Sequence, residues 1–182
     1  MKTLAAETTA RSIGETQRLA AAVAALLAPG DVLCLYGQLG AGKTYFTKGL
    51  VVGLGGDGEA VTSPTFVLMQ IYGGAPAASG PGGGQVSGAG PRLPVYHFDA
   101  YRLHSAEDLI DIGSDETLDG DGVSVIEWAD RVPEAMPPDR IEVHLTPVGV
   151  TERRIRLVGR GEHPASVVAQ LIRAGLAVAA ET

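Results

Sequence analysis

The sequence predicts a three-layer α/β domain built on a mixed central sheet. Short, continuous apolar runs such as 31–36 are typical of strands that are buried on both faces. These runs alternate with segments such as 12–28, in which apolar residues recur at helical spacing. Two pairs of neighbouring strands could form antiparallel hairpins, so we expect a mixed sheet. The pairs are 66–72 with 95–101, and 141–146 with 154–158.

Local signals mark where the other elements begin and end. The first helix stops at Pro29-Gly30, and the second stops at Gly55-Gly56. Ser105 and Asp108 predict a capping box at the start of a third, short helix. The predicted helices are 12–28, the segment after residue 44, 105–110 and about 165–179. The predicted strands are 31–36, 66–72, 95–101, 123–128, 141–146 and 154–158.

The length of 182 residues corresponds to one ordinary domain with room for a core. Residues 73–94 are almost wholly Gly, Ala, Pro and Ser, with Arg92 as the only charge. Such a segment cannot bury enough surface to offset the entropy of ordering it. We therefore predict a single domain over 1–182, in which 73–94 is a flexible insertion between two strands.

Composition argues against several function classes. The formal net charge of −7, from 21 acidic and 14 basic residues, disfavours direct, tight binding of nucleic acid. Cys34 is the only cysteine, so no internal disulfide forms, and its apolar neighbours predict a buried residue in a reducing compartment. No segment has the roughly 18 to 20 apolar residues that span a membrane, and no signal-peptide pattern is present. These features predict a cytoplasmic protein without membrane association.

Residues 37–44 match the pattern G-x-x-x-x-G-K-[ST] in full, directly after a predicted strand and before a predicted helix. The glycines let backbone N–H groups curl around phosphate oxygens, and the helix N-terminus faces the anion. Lys43 is expected to reach the β- and γ-phosphates, and the Thr44 hydroxyl to ligate Mg²⁺. The pattern predicts a P-loop NTPase-like fold, although the residues alone leave the base open. The predicted nucleotide-binding residues are Gly37, Gln38, Leu39, Gly40, Ala41, Gly42, Lys43 and Thr44.

Two acidic residues end predicted strands and are candidates for the chemistry. Asp99 directly follows the apolar run 95–98, and Glu127 directly follows the run 123–126. Both are expected at the C-terminal edge of the sheet, where acids can complete a magnesium shell and position the attacking water. With Lys43 they form the predicted catalytic set, although either carboxylate alone could instead cap a turn.

Three neighbours of these acids have less defined roles. His97 alternates with aromatic residues on its strand and is predicted to be structural rather than a ligand. Trp128 could pack beside the nucleotide or only fill the core. Arg102 could stabilise phosphate or face a partner.

Four blocks, in the same order and at compatible spacing, resemble the TsaE family, the small ATPases of bacterial tRNA threonylcarbamoyladenosine synthesis. Residues 35–44 resemble the loop of that family, and Ser63-Pro64-Thr65 resembles its S-P-T segment. Residues 96–103 resemble its H-x-D-x-Y-R block, and Ile126-Glu127-Trp128 resembles its I/V-E-W motif. The resemblance runs through most of the chain.

The resemblance implies a single P-loop ATPase domain, with ATP as the substrate and Mg²⁺ as the cofactor. Thr44 and Glu127 look like magnesium ligands, and Asp99 joins the metal set close to the γ-phosphate. Ser63-Pro64-Thr65 looks like a mobile sensor of the γ-phosphate, which adds Thr65 to the ATP-binding residues. Tyr45 is also expected to contact ATP through its backbone N–H. The family usually has Thr or Ser at this position, so the hydroxyl contact to the α-phosphate is expected to be lost here.

The resemblance also implies partners. Proteins of this family act with TsaB and TsaD, which transfer a threonylcarbamoyl group onto adenosine 37 of tRNAs that read codons starting with A. ATP hydrolysis is expected to drive the cycle of that complex. Contact with tRNA would then be only indirect, which agrees with the net charge of −7.

Two other function classes are weighed against this one. A small-molecule or nucleoside kinase on the same loop would usually carry an Arg-rich lid. No such segment follows Glu127, where Arg131, Arg140 and the pair Arg153-Arg154 stand apart. A nucleotide-gated interaction module with negligible turnover would not need both Asp99 and Glu127.

Overall fold

The computed structural model describes residues 2–64, 68–73, 92–118 and 120–182, and these form one eight-stranded sheet. The strands are β1 (Thr3–Ala10), β2 (Val32–Tyr36), β3 (Met69–Tyr72), β4 (Val95–Asp99), β5 (Val123–Glu127), β6 (Arg140–Pro147), β7 (Arg153–Arg160) and β8 (Val178–Ala180). Their order across the sheet is β3-β4-β5-β2-β6-β7-β1-β8.

Parallel and antiparallel pairings are combined in this sheet, as predicted. β4 pairs with β5, β5 with β2, and β2 with β6, all in parallel. β3 is antiparallel to β4, and β7 is antiparallel to β6, which confirms the two expected hairpin pairings. Because β2, β4 and β5 run in one direction, their carboxyl ends meet at one edge. There Asp99 lies beside Glu127, and Glu127 lies beside Leu35.

Helices cover both faces of the sheet and give the three predicted layers. They are α1 (Ile13–Ala24), α2 (Lys43–Gly53), α3 (Ala106–Asp111), α4 (Ser114–Thr117) and α5 (Glu162–Arg173). Alternate residues of β2 serve opposite faces. Leu33 and Leu35 join the core that includes side chains of α1, α2 and α5, whereas Cys34 joins a second core with Leu109 of α3. None of the helices in the described ranges is long and apolar enough to cross a membrane.

Cys34 has the buried position that the sequence predicts. Its side chain is fully enclosed, and its Sγ lies 3.3 Å from the Met136 Sδ. Burial raises the pKa of the thiol to about 12, so the thiol stays protonated at neutral pH.

Elements near both ends of the chain differ from the predictions. No strand is predicted over β1, because its Ala- and Thr-rich sequence has no continuous apolar run, yet it pairs with β7 along its whole length. α5 begins at Glu162, because Pro164 fits in a first turn, where its missing N–H is not needed. α5 ends at Arg173, and the left-handed Gly175 separates it from β8, so the predicted helix is wrong beyond Arg173.

Most of the predicted insertion, residues 74–91, lies outside the described residues, so its flexibility stays a prediction. Arg92 at its end is described, and its guanidinium donates to the carbonyls of Ala24 and Leu27 at 2.8 and 3.2 Å. These carbonyls lie at the C-terminal end of α1 and just beyond it, where the helix dipole favours a positive charge. Arg92 therefore anchors the chain to α1 before β4 begins.

A buried carboxylate ties β6 to β7. Glu142 accepts hydrogen bonds from Arg140 at 2.7 Å and from Arg160 at 2.5 Å, and His144 Nε2 lies 3.5 Å away. Burial by itself would raise the pKa of the Glu142 carboxyl. The hydrogen bonds from His144 and Arg160, with the charges of both arginines, outweigh burial and lower the pKa from 4.5 to about 2.

Because of the lowered pKa of Glu142, we expect the stability of the fold to fall at acid pH. Because the pKa is lower in the folded protein, the interactions of Glu142 stabilise the fold fully above about pH 4.5, and this stabilisation is lost as the pH falls through about 2. Glu142→Gln is expected to lower the free energy of unfolding at pH 7 by about 2–3 kcal/mol and to flatten its decline at acid pH. Urea unfolding from neutral to acid pH measures both effects, with the exposed Glu134→Gln as control. An unchanged pH dependence in Glu142→Gln would contradict the prediction.

Candidate functional site

The loop over residues 37–44 links the end of β2 to the start of α2. Gly37 has a φ of +146°, and a Cβ atom there would lie 2.6 Å from the Leu145 carbonyl oxygen. Gly42 has a φ of +106° and is the N-cap of α2. Both glycines are therefore required by the backbone, and the loop has the strand–loop–helix context that the sequence predicts.

The N-terminus of α2 offers backbone donors to an anion. The Phe46 N–H donates to the Gly42 carbonyl at 2.9 Å, and the N–H groups before it belong to the first turn, which has no intrahelical acceptors. These donors lie at the positive end of the helix dipole, where phosphate groups bind. Tyr45 contributes one of these N–H groups, and its side chain is exposed. Leu39 at the tip of the loop is 86% exposed, so the loop is open to solvent.

Lys43 is buried, and its ammonium group lies inside the loop. Nζ donates to the carbonyls of Gly37 and Gln38 at 2.6 and 3.2 Å. It also lies 3.5 Å from the centroid of the Trp128 ring, a cation–π distance. Burial lowers the pKa of Lys43, and nearby carboxylates, led by Glu127, oppose that change. A positive charge is thus held between the loop, an aromatic face and the acidic edge of the sheet.

Trp128 covers the loop lysine and has an unusual backbone conformation. It follows Glu127 directly and has a φ of +59°, which is uncommon for a residue other than glycine. Its ring also contacts that of Tyr101, with 5.0 Å between centroids, and packs against the second core. Trp128 therefore fills core space and also covers Lys43, while its packing beside a nucleotide stays a prediction.

Thr44 and Glu127 are in direct contact. The Thr44 hydroxyl donates to Glu127 Oε1 at 2.9 Å, and His97 Nε2 lies 2.9 Å from the same oxygen. His97 and Glu127 are both buried, and His97 Nδ1 lies 3.4 Å from the Tyr72 hydroxyl. His97 therefore holds the Glu127 carboxylate, a contact that the sequence analysis misses. One signal in the sequence could have revealed this contact. His97 lies two residues before Asp99, so both side chains are on the same face of β4.

Asp99 lies beside Glu127, at the end of the neighbouring strand. It is buried, and its two oxygens accept from the Ser63 hydroxyl at 3.0 Å and from the Tyr101 N–H at 2.9 Å. The second bond caps the turn after β4, so the capping role that the sequence leaves open is present. The first bond joins Asp99 to the Ser63-Pro64-Thr65 segment. Thr65 itself lies outside the described residues, and its contact with ATP stays a prediction.

The side-chain oxygens of Thr44, Asp99 and Glu127 suit a hard cation such as Mg²⁺. In the part of the chain that the structure describes, no group of three or more His, Cys, Asp or Glu residues is arranged to hold a metal alone. Mg²⁺ is usually bound through one or two carboxylates together with substrate phosphates. This donor set therefore fits a magnesium ion that binds with a nucleotide.

Comparison with known proteins shows the family of this chain. The family model described as "Threonylcarbamoyl adenosine biosynthesis protein TsaE" matches residues 10–155. The chain belongs to the TsaE family. The TsaE of Treponema pallidum (strain Nichols) is 41% identical over 145 residues, which cover 80% of this chain and 94% of that protein. The TsaE of Bacillus subtilis (strain 168) is 37% identical over 159 residues, covering 87% of this chain and 89% of that protein.

A solved structure extends the TsaE comparison to the fold. The crystal structure of Bacillus subtilis YdiB matches with a TM-score of 0.73 at 31% identity, covering 96% of this chain and 99% of that chain. The predicted α/β fold class is confirmed. The resemblance to the TsaE family, which is based on four short sequence blocks, is also confirmed. The names of these two TsaE relatives assign them to tRNA threonylcarbamoyladenosine biosynthesis.

Proposed function

We propose that this protein binds ATP with Mg²⁺ in the loop over 37–44 and hydrolyses it. The observation that carries the proposal is the 2.9 Å contact between the Thr44 hydroxyl and Glu127. It joins a hydroxyl in the first turn of α2 to a buried carboxylate at the end of β5. A glycine-rich turn with only a structural role would need neither this pair nor the buried Lys43. Membership of the TsaE family supports the same assignment.

Each side chain has a defined task in this proposal. The N–H groups of the loop and of the first turn of α2 bind phosphate oxygens, and Lys43 supplies positive charge to the β- and γ-phosphates. Thr44 and Glu127 would hold Mg²⁺ with Asp99 close by, and the bound ion would neutralise charge on the transferred phosphoryl group. Glu127 and Asp99 are the buried acids beside the loop that can orient the attacking water.

We further propose that hydrolysis supports threonylcarbamoyl transfer to adenosine 37 of tRNA by a TsaD–TsaB complex in the cytoplasm. Family membership supports the pathway. The net charge of −7 favours a route in which protein partners, rather than this chain, hold the tRNA.

The first test is magnesium-dependent ATP hydrolysis with and without TsaB and TsaD from the same source. We expect slow turnover by the protein alone and a clear change when both partners are added. Modified adenosine should appear in added tRNA only when ATP, Mg²⁺, a threonylcarbamoyl donor and all three proteins are present. Omission of Mg²⁺ is the control for the metal. Fast hydrolysis that does not change when TsaB and TsaD are added, together with no binding of the protein to them, would overturn the partner assignment and favour a kinase.

A further inference from the structure

Arg153, the first residue of β7, contacts the phosphate loop from outside. Its Nε donates to the Ala41 carbonyl at 2.9 Å, and its Nη2 donates to the Gly40 carbonyl at 3.2 Å. Its Nη1 donates to the Glu152 carbonyl at 2.9 Å, in the turn that joins β6 to β7. One guanidinium therefore bridges the loop and that turn.

Peptide geometry connects these contacts to the donors of the loop. In a trans peptide, the C=O and the following N–H point in opposite directions. The Ala41 carbonyl faces Arg153, so the Gly42 N–H points away from the guanidinium. The Gly40 carbonyl shares its peptide with the Ala41 N–H, which donates to the Gln38 carbonyl at 3.0 Å and closes the turn of the loop. A positive charge on the carbonyl side also polarises both peptides and strengthens their N–H groups as donors.

We propose that Arg153 is a positioning residue for nucleotide binding. Its guanidinium fixes the peptides of Gly40 and Ala41, so that the loop is preorganised for phosphate. This inference rests on the proposed function and deepens it. Arg153 acts through the loop backbone, without touching the phosphates. The guanidinium reaches the two carbonyls through Nε and Nη2, two donors held in a fixed planar fork that lysine lacks.

The next residue provides a matched control. Arg154 is 56% exposed at its side chain and lies 3.6 Å from Glu7 of β1, in an ion pair away from the loop. Successive residues of a strand point to opposite faces, so these two arginines have the same charge and nearly the same position in the chain but different surroundings. Loss of either one changes the net charge equally.

The experiment compares Arg153→Ala, Arg153→Lys and Arg154→Ala with the unaltered protein. Calorimetric titration gives the dissociation constant for ADP with Mg²⁺, and steady-state kinetics give KM and kcat for ATP. Loss of charged hydrogen bonds to the loop predicts that the ADP dissociation constant and the KM rise about tenfold in both Arg153 variants, while kcat changes less than about twofold. Arg154→Ala should bind ADP like the unaltered protein.

The lysine variant separates positioning from folding, since it keeps the charge and most of the stem. Normal ADP affinity in Arg153→Lys would overturn the proposal, as would a fall in kcat at unchanged KM. If Arg153→Ala does not fold, Arg153→Lys alone decides. If the unaltered protein binds no ADP, the proposed function fails and this inference with it. If the unaltered protein and both Arg153 variants bind ADP equally, only this inference fails.

Discussion

Replacing Lys43 with Ala is expected to raise the dissociation constant for ADP with Mg²⁺ at least about 100-fold, or ~2.7 kcal/mol, and to abolish measurable hydrolysis. The ammonium is buried among the Gly37 and Gln38 carbonyls, with Glu127 nearby. Without Lys43, phosphate oxygens would lie beside these acceptors without the buried ammonium charge that offsets their own. Binding itself should therefore fail, before any chemistry takes place.

Trp128 provides a direct readout for this variant. It is the only tryptophan of the chain, and its ring lies 3.5 Å from Lys43 Nζ. Titration of its fluorescence with ADP should give a saturable change in the unaltered protein and none in Lys43→Ala. Calorimetry is the necessary second method, because the substitution also changes the surroundings of the ring. Lys48→Ala, on the same helix, is the control and should bind ADP normally. A Lys43 variant with near-normal affinity would remove the loop from the proposed mechanism.

The features that the sequence predicts well depend on contacts close along the chain. The loop is recognisable because Gly37 and Gly42 are required by the local backbone and are followed at once by Lys43. The capping box of Ser105 and Asp108 forms as predicted, within one helical turn. Asp99 and Glu127 are also found at one edge, because parallel strands bring their carboxyl ends together whatever their order in the sheet.

The features that the sequence does not reveal depend on contacts between distant segments. β1 is a strand because it pairs with β7, some 150 residues further on, and an Ala- and Thr-rich run carries no local sign of that pairing. The contacts of Arg153 with Gly40 and Ala41 span 113 and 112 positions. His97 is predicted to be structural, but its partner Glu127, at 2.9 Å, comes from the neighbouring strand rather than from residues close along the chain. In each case the residue type permits several roles, and only the packing selects one.

Replacing Glu127 with Gln is expected to lower kcat at least about 100-fold, while the dissociation constant for ADP changes less than about threefold. The amide oxygen can still accept from the Thr44 hydroxyl and from His97, which both lie 2.9 Å from Oε1. The side chain should therefore keep its place and the fold its stability. The change removes the negative charge that the proposal assigns to holding Mg²⁺ and orienting the attacking water.

Two measurements make this prediction specific to the carboxylate. The Mg²⁺ concentration for half-maximal hydrolysis should rise in Glu127→Gln, and single-turnover assays should show bound ATP that persists. Glu134→Gln, an exposed acid-to-amide change near the same strand, should alter neither. Unchanged hydrolysis in Glu127→Gln would leave Asp99 as the buried acid beside the loop that can act on water. Lost turnover with intact ADP binding in Glu127→Gln would instead assign the chemistry to Glu127, whereas binding is tested separately by Lys43→Ala.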